Sequence, residues 1–261
     1  MTVPDPQLVA RLRAAGCVFA EDEAAVLEEE AVSRAVAPGH VAAVLETLLL
    51  RRLAGEPLEA VVGWAELDGV RVRVASGVFV PRRRSALLVR LAVAVGPRVV
   101  VDLGCGTGAL GAAVAARLPT AEVWAVDVDP AAVACARLNL PPDRVLLGDL
   151  YAPLPDRLHG VVDVLLANAP YVPHDAIAFM PPEARDHEHR VALDGGPDGL
   201  DVQRRVIADA ARWLRPGGVL LLECSRGQAP MTAELMRRAG LEARTHVDDD
   251  IDGTAVTGRL A

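Results

Sequence analysis

The second half of the chain alternates predicted strands with predicted helices, and this alternation constrains the fold more than any other feature. From about residue 85 onward, short apolar runs typical of buried strands are separated by segments with helical patterning. The predicted strands are 98–102, 122–127, 144–147, 163–167 and 218–223, and helices are predicted at 108–117 and 130–139 among others. The alternation predicts an α/β fold, with a parallel sheet covered by helices on both faces.

The residues before this alternation have a different pattern. Residues 5 to about 54 contain periodic apolar residues broken by glycine and proline, which predicts a group of short helices. The following segment, "GWAELDGVRVRVASGVFVP", alternates apolar and polar residues around Asp68-Gly69, a strong signal for a hairpin. We therefore expect three regions: a helical domain over 1–54, a linker with a β-hairpin over 55–80, and the sheet-containing domain over 81–261.

The charge and the cysteines exclude several classes of protein. The formal net charge is −8, so the chain lacks the basic surface that nucleic-acid binding needs, and we expect no direct sequence-specific binding of nucleic acid. The four cysteines are scattered and form no C-x-x-C pair, which favours a reducing compartment over disulfides or a zinc site. His187 and His189 in "DHEHR" have no matching ligands elsewhere in the sequence, so no metal site is predicted.

Membrane association is not expected either. The N-terminal segment lacks the charged start and apolar core of a signal peptide. No uninterrupted apolar stretch approaches the roughly 18 residues that a transmembrane helix needs. The sequence therefore predicts a cytoplasmic protein.

A glycine-rich loop follows the first predicted strand. In "VVVDLGCGTGALG" (99–111), Gly104, Gly106 and Gly108 allow the backbone to turn sharply and to approach a ligand closely. The same segment also satisfies the dinucleotide fingerprint through Gly106-x-Gly108-x-x-Gly111, so the loop alone leaves NAD binding open.

Three aspartates at predicted strand ends favour S-adenosylmethionine over NAD. Asp102 precedes the glycine loop, where a carboxylate suits the cationic amino group of methionine but would repel a pyrophosphate. Asp127 in "WAVDVDP" can accept both ribose hydroxyls, and Asp149 in "LLGDL" can meet the exocyclic amine of adenine. All three follow strands at the carboxyl edge of the sheet, where ligands of such folds bind. The alternative is that each aspartate only caps a helix or forms a turn.

The fourth predicted strand ends in "NAPY", a segment suited to methyl transfer to nitrogen. The side-chain carbonyl of Asn168 can accept an N–H, and Ala169, which precedes Pro170, has an extended backbone that can aim its own carbonyl the same way. Two such acceptors would orient an NH₂ group toward a methyl sulfonium, and Tyr171 offers a ring for stacking on a planar substrate. A plain turn is the alternative interpretation.

These motifs resemble those of the HemK/PrmC family of methyltransferases, which methylate a glutamine side chain in peptide-chain release factors. The resemblance rests on "RRLAGEPLEAVVG", "VASGVFVPR", "DLGCGTG", "AVDVDP", "NAPYV" and "PPEARDHEHRVALDGGPDGLD". It implies a Rossmann-like class I methyltransferase domain after a helical substrate-recognition domain, with S-adenosylmethionine as donor, S-adenosylhomocysteine as product and a release factor as partner.

The resemblance also implies roles for individual residues. Asn168, Ala169, Pro170 and Tyr171 form the catalytic segment. The donor site comprises Asp102, Gly104, Cys105, Gly106, Thr107, Gly108, Asp127, Val128, Asp149, Leu150 and Asn168. The substrate site comprises Phe79, Pro81, Arg82, Arg83 and Tyr171.

Two departures place the chain near a divergent branch of this family and leave the methyl acceptor open. Ala169 stands where the family has a proline, and the segment Arg83–Ala86 replaces the family's Pro-Glu-Thr-Glu. The alternative acceptor is a small aromatic or heterocyclic metabolite, such as an indole in natural-product biosynthesis, methylated on nitrogen or carbon. An NAD-dependent oxidoreductase and a non-catalytic binding module are further alternatives, but the first does not need the "NAPY" segment and the second would tolerate loss of the glycine loop.

Overall fold

The computed structural model describes residues 3–261 and begins with a helical domain. The helices are α1 (Pro6–Ala14), α2 (Ala20–Arg34), α3 (Val41–Leu53) and α4 (Leu58–Val62). Helix α1 begins where expected, because Asp5 caps it by accepting a hydrogen bond from the backbone N–H of Gln7 at 2.8 Å. The four helices share an apolar core that includes Leu12, Leu27 and Val61.

The hairpin predicted around Asp68-Gly69 is confirmed. Strands β1 (Trp64–Leu67) and β2 (Val70–Arg73) pair in antiparallel register, with Leu67 opposite Val70. Asp68 and Gly69 both have positive φ, at 51° and 83°, as a two-residue type I′ turn requires. The division into 1–54, 55–80 and 81–261 stays a prediction. Helix α4 lies inside the predicted linker, and its Val61 packs in the core of the helical domain.

The rest of the chain forms the predicted α/β domain. Its strands are β3 (Val99–Leu103), β4 (Glu122–Asp127), β5 (Val145–Leu147), β6 (Val162–Ala167), β7 (Leu214–Glu223), β8 (Leu241–Asp248) and β9 (Gly253–Leu260). Its helices are α5 (Ala86–Val95), α6 (Ala109–Arg117), α7 (Pro130–Ala136), α8 (Pro182–His187), α9 (Asp201–Trp213) and α10 (Ala229–Arg238).

The sheet order is β5-β4-β3-β6-β7-β9-β8, with β3 to β7 parallel. Both faces are covered, since alternate residues of β6 enter different apolar clusters: Val164 and Leu166 pack on the side of α5 and α6, whereas Leu165 packs on the side of α9 and α10. The carboxyl ends of β3, β4 and β6 therefore meet at one edge of the sheet. The strand order runs outward from β3 to β5 on one side and from β6 to β7 on the other, and ligands of such folds bind where these two directions part.

The five predicted strands are confirmed as the parallel strands β3 to β7, and the sheet continues with two strands that were not predicted from the sequence. Strand β9 is antiparallel to both β7 and β8. Strand β8 lies at the sheet edge and most of its residues are exposed or half-buried, so "LEARTHVD" carries little apolar signal. Strand β7 also begins at Leu214 rather than Gly218 and continues through Pro216.

The segment between β6 and α9 is held by ion pairs to three other parts of the chain. Glu183 in α8 lies 2.6 Å from Arg52 of the helical domain, and Glu188 lies 2.5 Å from Arg82. His189 lies 2.5 Å from Asp129, which follows β4. A search of residues 3–261 for helices long and apolar enough to cross a membrane finds none.

Candidate active site

A cavity of about 320 Å³ lies at the carboxyl edge of the sheet and brings most of the predicted site residues together. The predicted residues that line it are Phe79, Pro81, Gly104, Cys105, Gly106, Thr107, Asp127, Val128, Asp149, Leu150, Asn168 and Pro170. They come from the segment before α5, from the glycine loop and from the ends of β4, β5 and β6. Its size and its mixture of apolar walls with a few polar groups are typical of a small-molecule site.

The glycine loop turns tightly under this cavity. Gly104, Gly106 and Gly108 all have positive φ, at 67°, 54° and 74°, which explains why glycine occupies these positions. The N–H groups of Gly104 and Cys105 both donate to the carbonyl oxygen of Val126, at 2.8 and 3.0 Å, and so join the loop to β4. Gly108 does not line the cavity; it lies against the chain that follows α7, where a Cβ would stand 3.0 Å from Leu140.

Asp102 lies behind the cavity wall and is completely buried. Its Oδ2 accepts a hydrogen bond from the N–H of Gly111 at 3.1 Å, and its Oδ1 has no hydrogen-bond partner among residues 3–261. Burial, helped by the nearby charge of Asp127 and opposed by the Gly111 hydrogen bond, raises the pKa of this carboxyl from 3.8 to about 7. A buried carboxylate oxygen without a partner suits a cationic ligand, so the residues present fit the ammonium group of S-adenosylmethionine. The contact itself stays a prediction.

Asp127 and Asp149 occupy two parts of the cavity wall. Asp127 accepts hydrogen bonds from the backbone N–H groups of Gly106 and Asp129, at 2.8 and 2.9 Å, and burial raises its pKa. These bonds fix the carboxylate at the end of β4. Asp149 is exposed, and its Oδ2 lies 2.5 Å from Arg205, a residue of α9 that also lines the cavity. The predicted ribose and adenine contacts stay predictions.

Asn168 stands at the end of β6 and faces the cavity. Its Nδ2 donates a hydrogen bond to Oγ of Ser85 at 3.2 Å, which leaves Oδ1 as an acceptor. Ala169 packs its side chain into the core under α9 and α10, so the structure limits it to a backbone role. Pro170 lines the cavity.

Tyr171, Arg82 and Arg83 do not line the cavity. The Tyr171 hydroxyl donates to Oε1 of the buried Glu223 at 3.2 Å, and burial together with Glu223 raises its pKa. The guanidinium of Arg82 lies 5.2 Å from the centre of the Phe79 ring and pairs with Glu188. Arg83 is exposed. Their predicted contacts with a substrate stay predictions.

Several residues of this site were not predicted from the sequence. Ser85, Asp129, Val202 and Arg205 line the cavity, and Glu223 lies behind it. Glu223 could have been found, because it ends a predicted strand as Asp102 and Asp127 do. Arg205 gave no comparable signal, since an arginine on a helix is usually solvated.

Comparisons with known proteins assign the chain to a family. The family model "Methyltransferase small domain" matches residues 69–180. A release factor glutamine methyltransferase from Gloeobacter violaceus is 44% identical over 193 residues, 70% of this chain and 66% of that protein. The protein of the same name from Mycolicibacterium smegmatis is 41% identical over 227 residues, 83% of this chain and 77% of that protein.

Solved structures support the fold. A methyltransferase from Pyrococcus furiosus matches with a TM-score of 0.55 and 18% identity, over 74% of this chain and 89% of that chain. At this identity the likeness concerns the fold alone, whereas the sequence identity to the curated relatives is high enough to establish the family. The chain therefore belongs to the HemK/PrmC family of release factor glutamine methyltransferases, and it is an S-adenosylmethionine-dependent methyltransferase.

Proposed function

We propose that this enzyme transfers a methyl group to the side-chain amide nitrogen of a glutamine in a peptide-chain release factor. The observation that carries the proposal is the position of Asn168: it ends β6 at the cavity, with its Nδ2 occupied by Ser85 and its Oδ1 left as an acceptor. The relatives supply the acceptor, because they are named release factor glutamine methyltransferases. A release factor as substrate also favours a cytoplasmic location.

The donor would be held by the strand-end carboxylates and the glycine loop. S-adenosylmethionine supplies an electrophilic methyl group on a sulfonium when bound. Asp102 would receive the ammonium group and Asp127 the ribose hydroxyls, as their positions at the carboxyl edge suggest. Gly104 and Gly106, both with positive φ, keep side chains out of the path of the ligand, and Cys105 and Thr107 complete the wall.

The acceptor nitrogen needs assistance, because the lone pair of an amide is delocalised and weakly nucleophilic. Asn168 Oδ1 and the carbonyl oxygen of Ala169 would each accept one N–H of the glutamine side chain. Holding both hydrogens orients the nitrogen toward the methyl group and favours its rehybridisation. Such positioning can lower a barrier by several kcal/mol, with ~7–11 as the ideal limit. After transfer the nitrogen loses one proton, which water can take.

Transfer of labelled methyl to purified bacterial release factors tests the proposal. The enzyme is incubated with isotope-labelled S-adenosylmethionine and, in parallel, with a release factor or with a panel of aromatic and heterocyclic metabolites. We expect label on one glutamine of the release factor, located by peptide mass spectrometry, and none once that glutamine is replaced by asparagine. Label on a metabolite such as an indole, with none on the release factor, would overturn it.

A further inference from the structure

Ser85 is a buried hydroxyl group beside the reacting end of the cavity, in the segment that departs from the family pattern. It is 2% exposed, ends a short helical turn over Arg83–Ser85, and lines the cavity. It lies 83 residues before Asn168 in the chain, and its Oγ accepts the hydrogen bond from Nδ2 of Asn168 at 3.2 Å. Nothing in the proposed methyl transfer requires a serine here, so its burial at this place calls for a physical account.

The hydrogen bond decides which end of the Asn168 amide faces the acceptor. An asparagine side chain can present either its carbonyl oxygen or its NH₂ group, and only the oxygen can hold an amide N–H. The Ser85 hydroxyl lowers the pKa of Glu223 by hydrogen bonding to that carboxyl, so its hydrogen is engaged there and its oxygen is left to accept from Nδ2 of Asn168. Rotation of the amide would then set Oδ1 against this oxygen and turn a donor toward the donor hydrogens of the substrate. The Ser85 hydroxyl therefore selects the productive orientation.

Glu223 holds the two chain segments on either side of this bond. Its Oε1 accepts from the Tyr171 hydroxyl at 3.2 Å and lies 3.3 Å from Nε of Arg84. Tyr171 is three residues beyond Asn168 and Arg84 immediately precedes Ser85, so a single buried carboxylate fixes both partners. Burial raises the pKa of Glu223, and the Ser85 hydroxyl, Arg84 and Tyr171 oppose that effect.

We propose that Ser85 is a positioning residue for methyl transfer, whose hydroxyl aims Asn168 Oδ1 at the acceptor nitrogen while Glu223 keeps Arg84 and Tyr171 in place. The proposal rests on the proposed function for its catalytic consequence. The hydrogen bond itself does not depend on the identity of the acceptor, and the two parts are therefore tested separately.

The first test measures the orientation of the amide by NMR, with S-adenosylhomocysteine bound. The Asn168 side-chain NH₂ signal is assigned from its loss in Asn168→Ala. We expect its hydrogen exchange to be slow in the wild type and in Ser85→Thr, which keeps a hydroxyl, and about tenfold faster in Ser85→Ala, as loss of one hydrogen bond implies. Equal exchange in wild type and Ser85→Ala would overturn the proposal.

The second test measures turnover on the release factor. We expect Ser85→Ala to lower kcat by about tenfold to a hundredfold, as misplacement of a reacting group does, with unchanged affinity for S-adenosylmethionine. Ser85→Thr should retain most of the turnover. Ser33→Ala, on the exposed side of α2, is the matched control and should behave as the wild type. If Ser85→Ala does not fold, Ser85→Cys replaces the hydroxyl with a weak acceptor of similar shape.

The outcomes separate the two proposals. A wild-type enzyme that is inactive on the release factor would refute the release-factor assignment. The NMR measurement would then still show whether Ser85 orients the Asn168 amide. An active wild type, together with wild-type kcat in both Ser85→Ala and Ser85→Cys, would refute the positioning role. A loss that appears only in KM for the release factor would also refute it, because Ser85 would then contribute to binding and not to alignment.

Discussion

Gly199 packs directly against the backbone carbonyl of Tyr171, with no space for a side chain between them. A Cβ at Gly199 would overlap that carbonyl oxygen and would also stand 2.5 Å from Nε2 of Gln228, which donates to the same oxygen at 2.9 Å. The loop over 193–201 thus packs directly against the backbone of the catalytic segment Asn168–Tyr171, at Tyr171.

We expect Gly199→Ala to destabilise the protein and to lower methyl transfer. The φ of +76° is unfavourable for alanine and the new methyl group has no room, so the free energy of unfolding should fall by about 2–4 kcal/mol. Urea unfolding and kcat measure the two effects. Gly227→Ala is the matched control, because a Cβ there meets nothing within 4 Å and no positive φ is required. Equal stability of the two variants would contradict the packing argument.

Asn168→Ala should separate donor binding from turnover. Loss of one preorganised polar contact at a reacting centre costs about a hundredfold or more in rate, while the donor carboxylates Asp102 and Asp127 are untouched. Calorimetry should therefore give an unchanged affinity for S-adenosylmethionine, and the methyl-transfer assay a kcat lowered about a hundredfold. A variant with wild-type turnover would remove Asn168 from the mechanism.

Most of the site residues that could be located from the sequence follow strands of a parallel sheet. Asp127, Asp149 and Asn168 come from three different strand ends, yet they line one cavity because parallel strands end at the same edge. The glycine loop could be located for the same reason, together with its need for positive φ. Topology alone was enough to bring these residues together.

The support around Asn168 could not be predicted in the same way. The bonds from Asn168 to Ser85 and from Tyr171 to Glu223 join residues 83 and 52 positions apart, and such side-chain contacts leave no periodic pattern in the sequence. Arg84 stands where the family has an acidic residue, and this difference was one reason to leave the methyl acceptor open. In the structure this arginine pairs with the buried Glu223, so its charge has a local partner within the fold. Strand β8 was missed because an exposed edge strand lacks a continuous apolar run. Strand β9 is mostly buried, but glycine and threonine interrupt its apolar residues in "GTAVTGRL".

Binding of S-adenosylmethionine should weaken as the pH falls below about 7. The pKa of Asp102 is raised to about 7 by burial, and an ammonium group favours its ionised form, so binding must release a proton at lower pH. Affinity should then fall toward about tenfold per pH unit. In the free protein the folded state holds this proton more tightly than the unfolded state, so the contribution of Asp102 to stability is lost as pH rises from about 4 to about 7.

Calorimetry between about pH 5.5 and 7.5 checks this prediction, using two buffers of different ionisation enthalpy to count the released proton. Asp102→Asn is the matched variant, since it keeps the shape of the side chain and removes the titration. Its affinity should be lower and independent of pH. Affinity of the wild type that stays constant over this range would show that Asp102 does not receive the ammonium group.

Arg52 joins the helical domain to the segment between β6 and α9. It is 7% exposed, with Nε 2.6 Å from Glu23 and Nη2 2.6 Å from Glu183 of α8. Arg52→Ala leaves Glu23 nearly buried without its cation, so we expect urea unfolding to show a loss of about 3 kcal/mol. Arg11→Ala is the matched control: its pair with Glu46 is almost half exposed and screened by water, so its loss should change stability much less. Similar losses in the two variants would mean that burial does not set the strength of the Arg52 pairs.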